Sequence, residues 1–334
     1  MFARGHFSGP RSVPPLLGEV NMYTSFFKMK RNPFEVSPDP QFFVSIEAHD
    51  EALAGLHYGI RAHKGFMVLT GEVGTGKTLV VRRLLDLLDR QKLPYAYVFC
   101  NQLSGCEFLS SVALDLGITV NASGKSGLLK QFQEFLLSRG QQGLYTALIV
   151  DEAQNLSPEV LEEIRLLTNM ETARGKLLQI VLIGQPELDV NLEAHTMRQL
   201  KQRIALRFHL PPLTEVQTRG YIWDRLSLAG ARDPIFGRSA IHRVFVYSGG
   251  LPRLVNIICD NALLSTFALG LARVPYEIVD EVARDLRLMP VETRPLSVSP
   301  SPSVYPAPPG RPSGREFPEN PAKDKDYQGA GHKA

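Results

Sequence analysis

A glycine-rich segment that ends in lysine and threonine is the strongest chemical signal in this sequence of 334 residues. Residues 71–78 read GEVGTGKT, the pattern GxxxxGK[ST], between an apolar run and a stretch of helical periodicity. Glycines there permit positive backbone φ angles, so that successive N–H groups can face phosphate oxygens, and the following helix N-terminus favours an anion. We expect Lys77 to reach the β- and γ-phosphates and the Thr78 hydroxyl to bind Mg²⁺. The predicted nucleotide-binding set is Gly71, Glu72, Val73, Gly74, Thr75, Gly76, Lys77, Thr78 and Leu79.

An acid pair follows another apolar run. Residues 147–150 read ALIV and precede Asp151 and Glu152. Ligands of open α/β sheets bind at the carboxyl ends of the strands, where this pair is expected to lie. We expect Asp151 to complete the metal shell with Thr78, and Glu152 to act as the general base for water. A base for water favours hydrolysis over phosphoryl transfer by a small-molecule kinase, which stays a third hypothesis.

Three further polar residues are candidates for contacts with the γ-phosphate. Gln185 follows the apolar run LQIVLI, and its amide is suited to sense that phosphate or to orient water. Arg203 is expected to act as a finger that reaches the nucleotide of a neighbouring subunit. Arg198 and Arg207 lie close to it, so the sequence leaves open which arginine is the finger. Arg253 begins a long helix, where a cation is unfavourable unless an anion lies nearby, and is predicted to sense phosphate.

Alternating strands and helices must position these residues. Strands are predicted at residues 66–70, 95–100, 147–150, 178–183 and 204–210, and helices at residues 78–90, 107–116, 126–138 and 158–170. This alternation predicts an α/β fold with a parallel-sheet core. After residue 213 the strand patterns end, and a capping box at residues 214–217 opens a helix to about residue 229. Three helical patterns follow, at residues 238–247, 251–269 and 276–286, so that we expect a small all-helical lid.

Composition sets the domain boundaries and the protein class. With 44% apolar residues and a net charge of +3, the chain is typical of globular proteins and is only mildly basic. The 3 cysteines form no CxxC pattern, which argues against a zinc site and a disulfide framework. No apolar run is free enough of charged and polar side chains to predict an integral membrane segment. The predicted divisions are a disordered leader at 1–21, an α/β core at 22–213, a helical lid at 214–289 and a Pro-rich disordered tail at 290–334.

The motifs, in this order along the chain, resemble those of AAA+ ATPases: GEVGTGKT, ALIVDEAQNL, LIGQPEL, LKQRI and GGLPR. More narrowly, the chain is similar to ATPases of the general secretion pathway protein A type, which share its MYTSFF, NPF and SPDP segments. The resemblance implies ATP and Mg²⁺ as cofactors, with GEVGTGKT as Walker A and the acid pair as Walker B. It also implies sensor roles for Gln185 and Arg253, a finger role for Arg203, and adenine near residues 32–43 and the following helix.

The same resemblance implies a cytoplasmic ATPase, peripheral at the inner membrane, that forms rings or filaments. Such a protein would drive or regulate the assembly of a secretion or cell-surface system, for example a pilus or an exopolysaccharide system. We expect neither the membrane anchor nor the peptidoglycan-binding domain that is typical of that group. The alternative is an ATP-dependent, DNA-binding regulator of transposition similar to TnsC, TniB and MuB. Residues 196–253 hold ten Lys and Arg against three Asp and Glu, so duplex DNA is the alternative partner.

Overall fold

The computed structural model describes residues 22–35, 44, 46–99, 103–119, 124–172 and 175–291. The predicted leader, nearly all of the predicted tail and most of the expected adenine segment lie outside these residues. Among the described residues, no helix combines the length and the apolar character that a membrane crossing requires.

Five parallel strands form the central sheet and confirm the predicted α/β core. The strands among the described residues are β1 (Phe66–Gly71), β2 (Tyr95–Phe99), β3 (Thr146–Asp151), β4 (Glu171–Thr172), β5 (Gly175–Lys176), β6 (Leu178–Gly184) and β7 (Ile204–Leu210). The order in the large sheet is β2-β3-β6-β1-β7, and β4 and β5 form a separate antiparallel pair. Strands β1, β3 and β6 are buried along their whole length, because they lie at the centre of the sheet and helices cover both faces.

Twelve α-helices are present in the described part of the chain. They are α1 (Met22–Phe26), α2 (Glu47–Arg61), α3 (Lys77–Arg90), α4 (Gly105–Asp115), α5 (Lys125–Gln141), α6 (Pro158–Leu167), α7 (Pro186–Glu193), α8 (Arg198–Lys201), α9 (Glu215–Leu228), α10 (Arg238–Ser248), α11 (Pro252–Ala268) and α12 (Tyr276–Asp285). The capping box that opens α9 is formed by Thr214 and Gln217, as expected. The periodicity did not predict α1, α7 and α8, which are too short to show a helical repeat, and it gave no bounds for α2.

The parallel register brings the functional segments to one edge of the sheet. Thr70 of β1 is paired with Gly184 of β6, and Val150 of β3 is paired with Leu182 on the other side of β6. The strand ends therefore deliver the GEVGTGKT loop, the acid pair and Gln185 to the same edge.

Alternating strand residues fill two apolar cores, one on each face of the sheet. Val68 and neighbouring even positions pack against α4, α5 and α6, whereas Leu69 and its equivalents pack against α2 and α3. A third apolar core lies among the four helices α9, α10, α11 and α12. The N-terminal segment contributes Phe27, Met29 and Phe34 to this core. From the sequence this segment is expected in the α/β core, but its apolar side chains pack with the helical lid.

Candidate active site

The loop between β1 and α3 is shaped as a cradle for phosphate. Gly74 and Gly76 have φ angles of +86° and +101°, which favour glycine. A Cβ atom on Gly74 would lie 2.9 Å from the Cβ of Arg253, and one on Gly76 would lie 2.9 Å from Nε2 of His49. Both sites therefore require glycine for space as well as for conformation. Helix α3 begins directly after Gly76. Its first N–H groups would therefore lie beside an anion that binds in the loop.

Lys77 lies over this loop with its ammonium group at the loop's own carbonyl oxygens. Its Nζ donates hydrogen bonds to the carbonyls of Gly71, at 2.7 Å, and Glu72, at 3.0 Å. Burial lowers the pKa of Lys77, and the negative charges of Glu152 and Asp151 oppose this shift. A buried ammonium whose hydrogen-bond acceptors are neutral carbonyls can turn to a phosphate, so the residues present fit a triphosphate.

Asp151 ends β3 as a buried carboxylate with two hydrogen-bond donors. Its Oδ2 accepts from the Tyr97 hydroxyl at 2.8 Å, and its Oδ1 accepts from the N–H of Glu152 at 2.9 Å. Burial raises the pKa of Asp151, and these two hydrogen bonds counteract the shift. Together with the exposed Thr78 hydroxyl in the first turn of α3, the carboxylate offers the oxygen ligands that Mg²⁺ takes. No local sequence signal marks Tyr97 as a partner of Asp151, because the two residues are 54 positions apart.

Glu152 has a left-handed backbone conformation, and its carboxylate accepts hydrogen bonds from two amide side chains. Its φ angle is +53°, which is unusual for a residue other than glycine. Its Oε2 accepts from Nε2 of Gln154 at 2.5 Å and from Nε2 of Gln185 at 3.3 Å. The Oε1 of Gln154 accepts from the N–H of Gln185 at 3.0 Å, so one amide joins both residues. Gln154 was missed at the sequence level, although it lies within the ALIVDEAQNL motif.

The two candidate arginines lie in different places. The backbone N–H of Arg253 donates to the carbonyl of Gly74 at 3.2 Å. Helix α11 of the lid therefore begins in direct contact with the loop. Arg203 precedes β7, at the edge of the sheet opposite the loop, and is half-buried. Its Nη1 donates to the carbonyl of Arg165 at 2.9 Å and to the Thr168 hydroxyl. The structure thus brings Arg253 to the site of its own chain and does not bring Arg203 there.

Known proteins support this assignment of the fold and the loop. Residues 60–192 match a family model described as an AAA domain. The chain is 44% identical over 250 residues to general secretion pathway protein A of Aeromonas hydrophila. That alignment covers 75% of this chain and 46% of the relative, so the chain spans about half of the relative's length.

Solved structures with this fold include the ORC2 protein of Aeropyrum pernix in ADPNP and ADP complexes, with a TM-score of 0.57. The sequence identity is 18%, and the alignment covers 79% of this chain and 73% of that chain. The Drosophila ORC bound to DNA gives a TM-score of 0.58 and 17% identity over 85% of this chain and 71% of that chain. At such identities the likeness shows the fold alone. Residues 60–192 therefore hold an AAA domain, the fold is that of the P-loop ATPases, and the chain is similar over 250 residues to general secretion pathway protein A.

Proposed function

We propose that this ATPase uses ATP binding and hydrolysis to drive or regulate the assembly of a secretion or cell-surface system. The observation that carries the proposal is the convergence of Lys77, Asp151 and Glu152 at one edge of the sheet, beside the lid residue Arg253. The name of the similar Aeromonas hydrophila protein supports the secretion context. We further propose that the protein acts in the cytoplasm, peripherally at the inner membrane, as a ring or filament of copies of itself.

Bound ATP and Mg²⁺ supply the phosphoryl group and the positive charge that makes it electrophilic. Lys77 would exchange its loop carbonyls for phosphate oxygens, and Asp151 and Thr78 would hold the cation. Glu152 orients the attacking water and accepts its proton. Because both amide hydrogen bonds of Glu152 reach Oε2, we assign the proton to Oε1.

The remaining residues are assigned to sensing and to communication between subunits. Gln185 donates to Glu152 and so links the γ-phosphate region to the base. Arg253 lies against Gly74 and connects the lid to the occupancy of the loop. Arg203 lies at the opposite edge of the sheet, where it serves a neighbouring copy, and must leave Arg165 and Thr168 to do so. An arginine supplied in this way is worth about 10³–10⁵ in rate in other nucleotide hydrolases.

The structure offers less support for the DNA-binding alternative than the sequence does. Four arginines of the basic run at residues 196–253 are engaged inside the chain. Arg203 binds Arg165 and Thr168, Arg207 pairs with Asp189, Arg225 binds Pro33, and Arg243 pairs with Asp280. A basic residue that is engaged internally is less available to a DNA phosphate. We prefer the secretion proposal because the name of the similar Aeromonas hydrophila protein supports it.

Steady-state ATP hydrolysis by the full chain, measured against protein concentration with and without duplex DNA, tests these proposals. We expect activity that rises faster than linearly with concentration, does not respond to DNA and is lost in Glu152→Gln. The matched control is Glu162→Gln, which alters an exposed carboxylate on α6 that pairs with Arg165, and it should keep the wild-type rate. Strong stimulation by DNA would instead favour the transposition-type regulator, and full activity in Glu152→Gln would remove Glu152 as the base.

A further inference from the structure

A buried histidine lies directly beneath the phosphate-binding loop. His49 is in the first turn of α2, and only 4% of its surface is exposed. Its Nε2 is 2.6 Å from the carbonyl oxygen of Thr75. Because a carbonyl oxygen can only accept, Nε2 carries the hydrogen in this contact. The other ring nitrogen, Nδ1, is buried and has no hydrogen-bond partner among the described residues.

The hydrogen bond at Thr75 has a geometric consequence for the next residue. In a trans peptide, the C=O of one residue and the N–H of the next lie in one plane and point in opposite directions. A Thr75 carbonyl that faces His49 therefore directs the N–H of Gly76 away from His49. Rotation of this peptide would remove one donor from the phosphate cradle.

The fit between the ring and Gly76 is close. A Cβ atom at Gly76 would lie 2.9 Å from Nε2 and 3.2 Å from Cε1 of His49. The imidazole thus occupies the space that any other residue at position 76 would need. The helix that carries His49 is itself fixed, because Leu56 and Ile60 pack with Leu69 of β1 in one core. The packing of α2 therefore fixes the position of His49 next to the loop.

We propose that His49 is the positioning residue of the phosphate-binding loop. Its Nε2–H group holds the Thr75 carbonyl and so keeps the Gly76 N–H directed at the bound phosphate. The inference rests on the proposed function, since it assumes that the loop binds a nucleotide. It goes beyond that function because it assigns a role to a residue of α2, outside the GxxxxGK[ST] sequence.

Nucleotide binding separates this role from simple packing. ADP affinity is measured by calorimetry in the full chain for the wild type, His49→Phe and His49→Gln. Phenylalanine fills the same space without a donor, whereas glutamine places an amide N–H near the position of Nε2. We expect about a tenfold or greater loss of ADP affinity in His49→Phe, as for a lost hydrogen bond next to a charged ligand, and recovery to within about threefold in His49→Gln.

Two controls make the result interpretable. His57 lies on the same helix and contacts Gln91, so His57→Phe should bind ADP like the wild type. Thermal unfolding without nucleotide verifies that each variant is folded, and His49→Ala replaces His49→Phe if the larger ring prevents folding. Amide exchange at Gly76 supplies a second readout, because ADP should protect this N–H in the wild type and in His49→Gln but not in the donor-free variant.

Two outcomes would overturn the inference. One is wild-type ADP affinity in a folded variant that lacks the donor, and the other is a His49→Gln variant that binds as weakly as His49→Phe. Failure of the proposed function has a different signature. In that case the wild type itself would not bind ADP, and Lys77→Ala would be indistinguishable from it.

Discussion

Tyr97 determines the orientation of Asp151, since its hydroxyl donates to Oδ2 of that carboxylate at 2.8 Å. Removal of this donor leaves a buried carboxylate with one fewer hydrogen bond and more rotational freedom. Groups that support a metal ligand in this way typically contribute about 10–100-fold to metal affinity or activity. We therefore expect Tyr97→Phe to raise the Mg²⁺ concentration needed for half-maximal ATP hydrolysis by about tenfold.

A matched substitution on the same strand controls for the loss of a tyrosine hydroxyl group. Tyr95 also lies on β2, but its hydroxyl bonds to Asp89 rather than to Asp151. Tyr95→Phe should keep the wild-type Mg²⁺ dependence. Equal Mg²⁺ dependence in Tyr97→Phe and the wild type would show that Asp151 is oriented without the tyrosine.

The burial of His49 predicts how the stability of the protein responds to pH. Burial lowers the pKa of His49 below 6.5, and this effect exceeds the opposing influences of the Thr75 carbonyl and the Asp50 charge. The unfolded chain therefore binds a proton more tightly at this position than the folded chain does. Stability from the neutral imidazole is present above pH 6.5 and is lost as the pH falls below that value, by at most about 1.4 kcal/mol per pH unit.

Urea unfolding at pH 7.5 and pH 5.5 measures this contribution. The free energy of unfolding should fall more steeply between these pH values in the wild type than in His49→Gln, which cannot titrate. Other groups titrate in both proteins and cancel in the comparison. An identical pH dependence would show that His49 takes up its proton as readily in the folded chain as in the unfolded chain.

At the level of elements, local signals explain why the sheet and most helices could be predicted. Apolar runs mark the central strands, and caps such as Thr214 with Gln217 fix helix starts within a few residues. The GxxxxGK[ST] spacing likewise places Lys77 without any knowledge of distant residues. Contacts between distant positions carry no such signal, and His49 with Thr75 is one example. Packing of Phe27 and Phe34 in the lid core is another, because only the folded chain brings these residues together.

The loop that enters α11 depends on one glycine. Gly250 has a φ angle of +76°, and a Cβ atom there would lie 1.9 Å from the carbonyl oxygen of Leu213. The N–H of Leu213 donates to the carbonyl of Gly250 at 2.9 Å, so the two backbones are joined where the core meets the lid. Gly250→Ala forces these segments apart and adds backbone strain. We expect a loss of stability of about 2–4 kcal/mol, measured by urea unfolding.

At another glycine, substitution by alanine should raise the stability of the protein instead of lowering it. Gly220 lies within α9, and a Cβ atom there would meet nothing within 4 Å. Gly220→Ala should stabilise the protein by about 0.5–1 kcal/mol, because alanine favours the helix. If Gly250→Ala were as stable as the wild type, the contact between residues 213 and 250 would have to be adjustable.

At the scale of the whole molecule, the N-terminal segment connects the lid to the nucleotide loop. Tyr23 and Asn32 both donate hydrogen bonds to Asp260 of α11, so that residues 22–35 are fixed to the lid. Val44 and Ile46, just before α2, also pack in the lid core, and α2 packs on the sheet and carries His49 to the loop. We therefore expect a shift of the lid to reach the loop from two sides, through Arg253 and through α2.

Arg225 is the buried group that holds this segment, and its replacement tests the connection. Its Nε donates to the carbonyl of Pro33 at 2.5 Å, and its Nη1 donates to the Tyr221 hydroxyl at 2.7 Å. Arg225→Met keeps much of the side-chain volume but leaves these acceptors without their donor. We expect a loss of about 2–4 kcal/mol in the free energy of unfolding, together with faster amide exchange in residues 22–35.

Arg219→Met is the matched control, since Arg219 is exposed on the same helix, and it should change stability by less than about 0.5 kcal/mol. The comparison also tests whether the segment influences the nucleotide. If α2 transmits the position of the segment, Arg225→Met should weaken ADP binding although it touches no residue of the loop. Unchanged ADP affinity with a loosened segment would mean that the contact of Arg253 with Gly74 suffices to couple the lid to the loop.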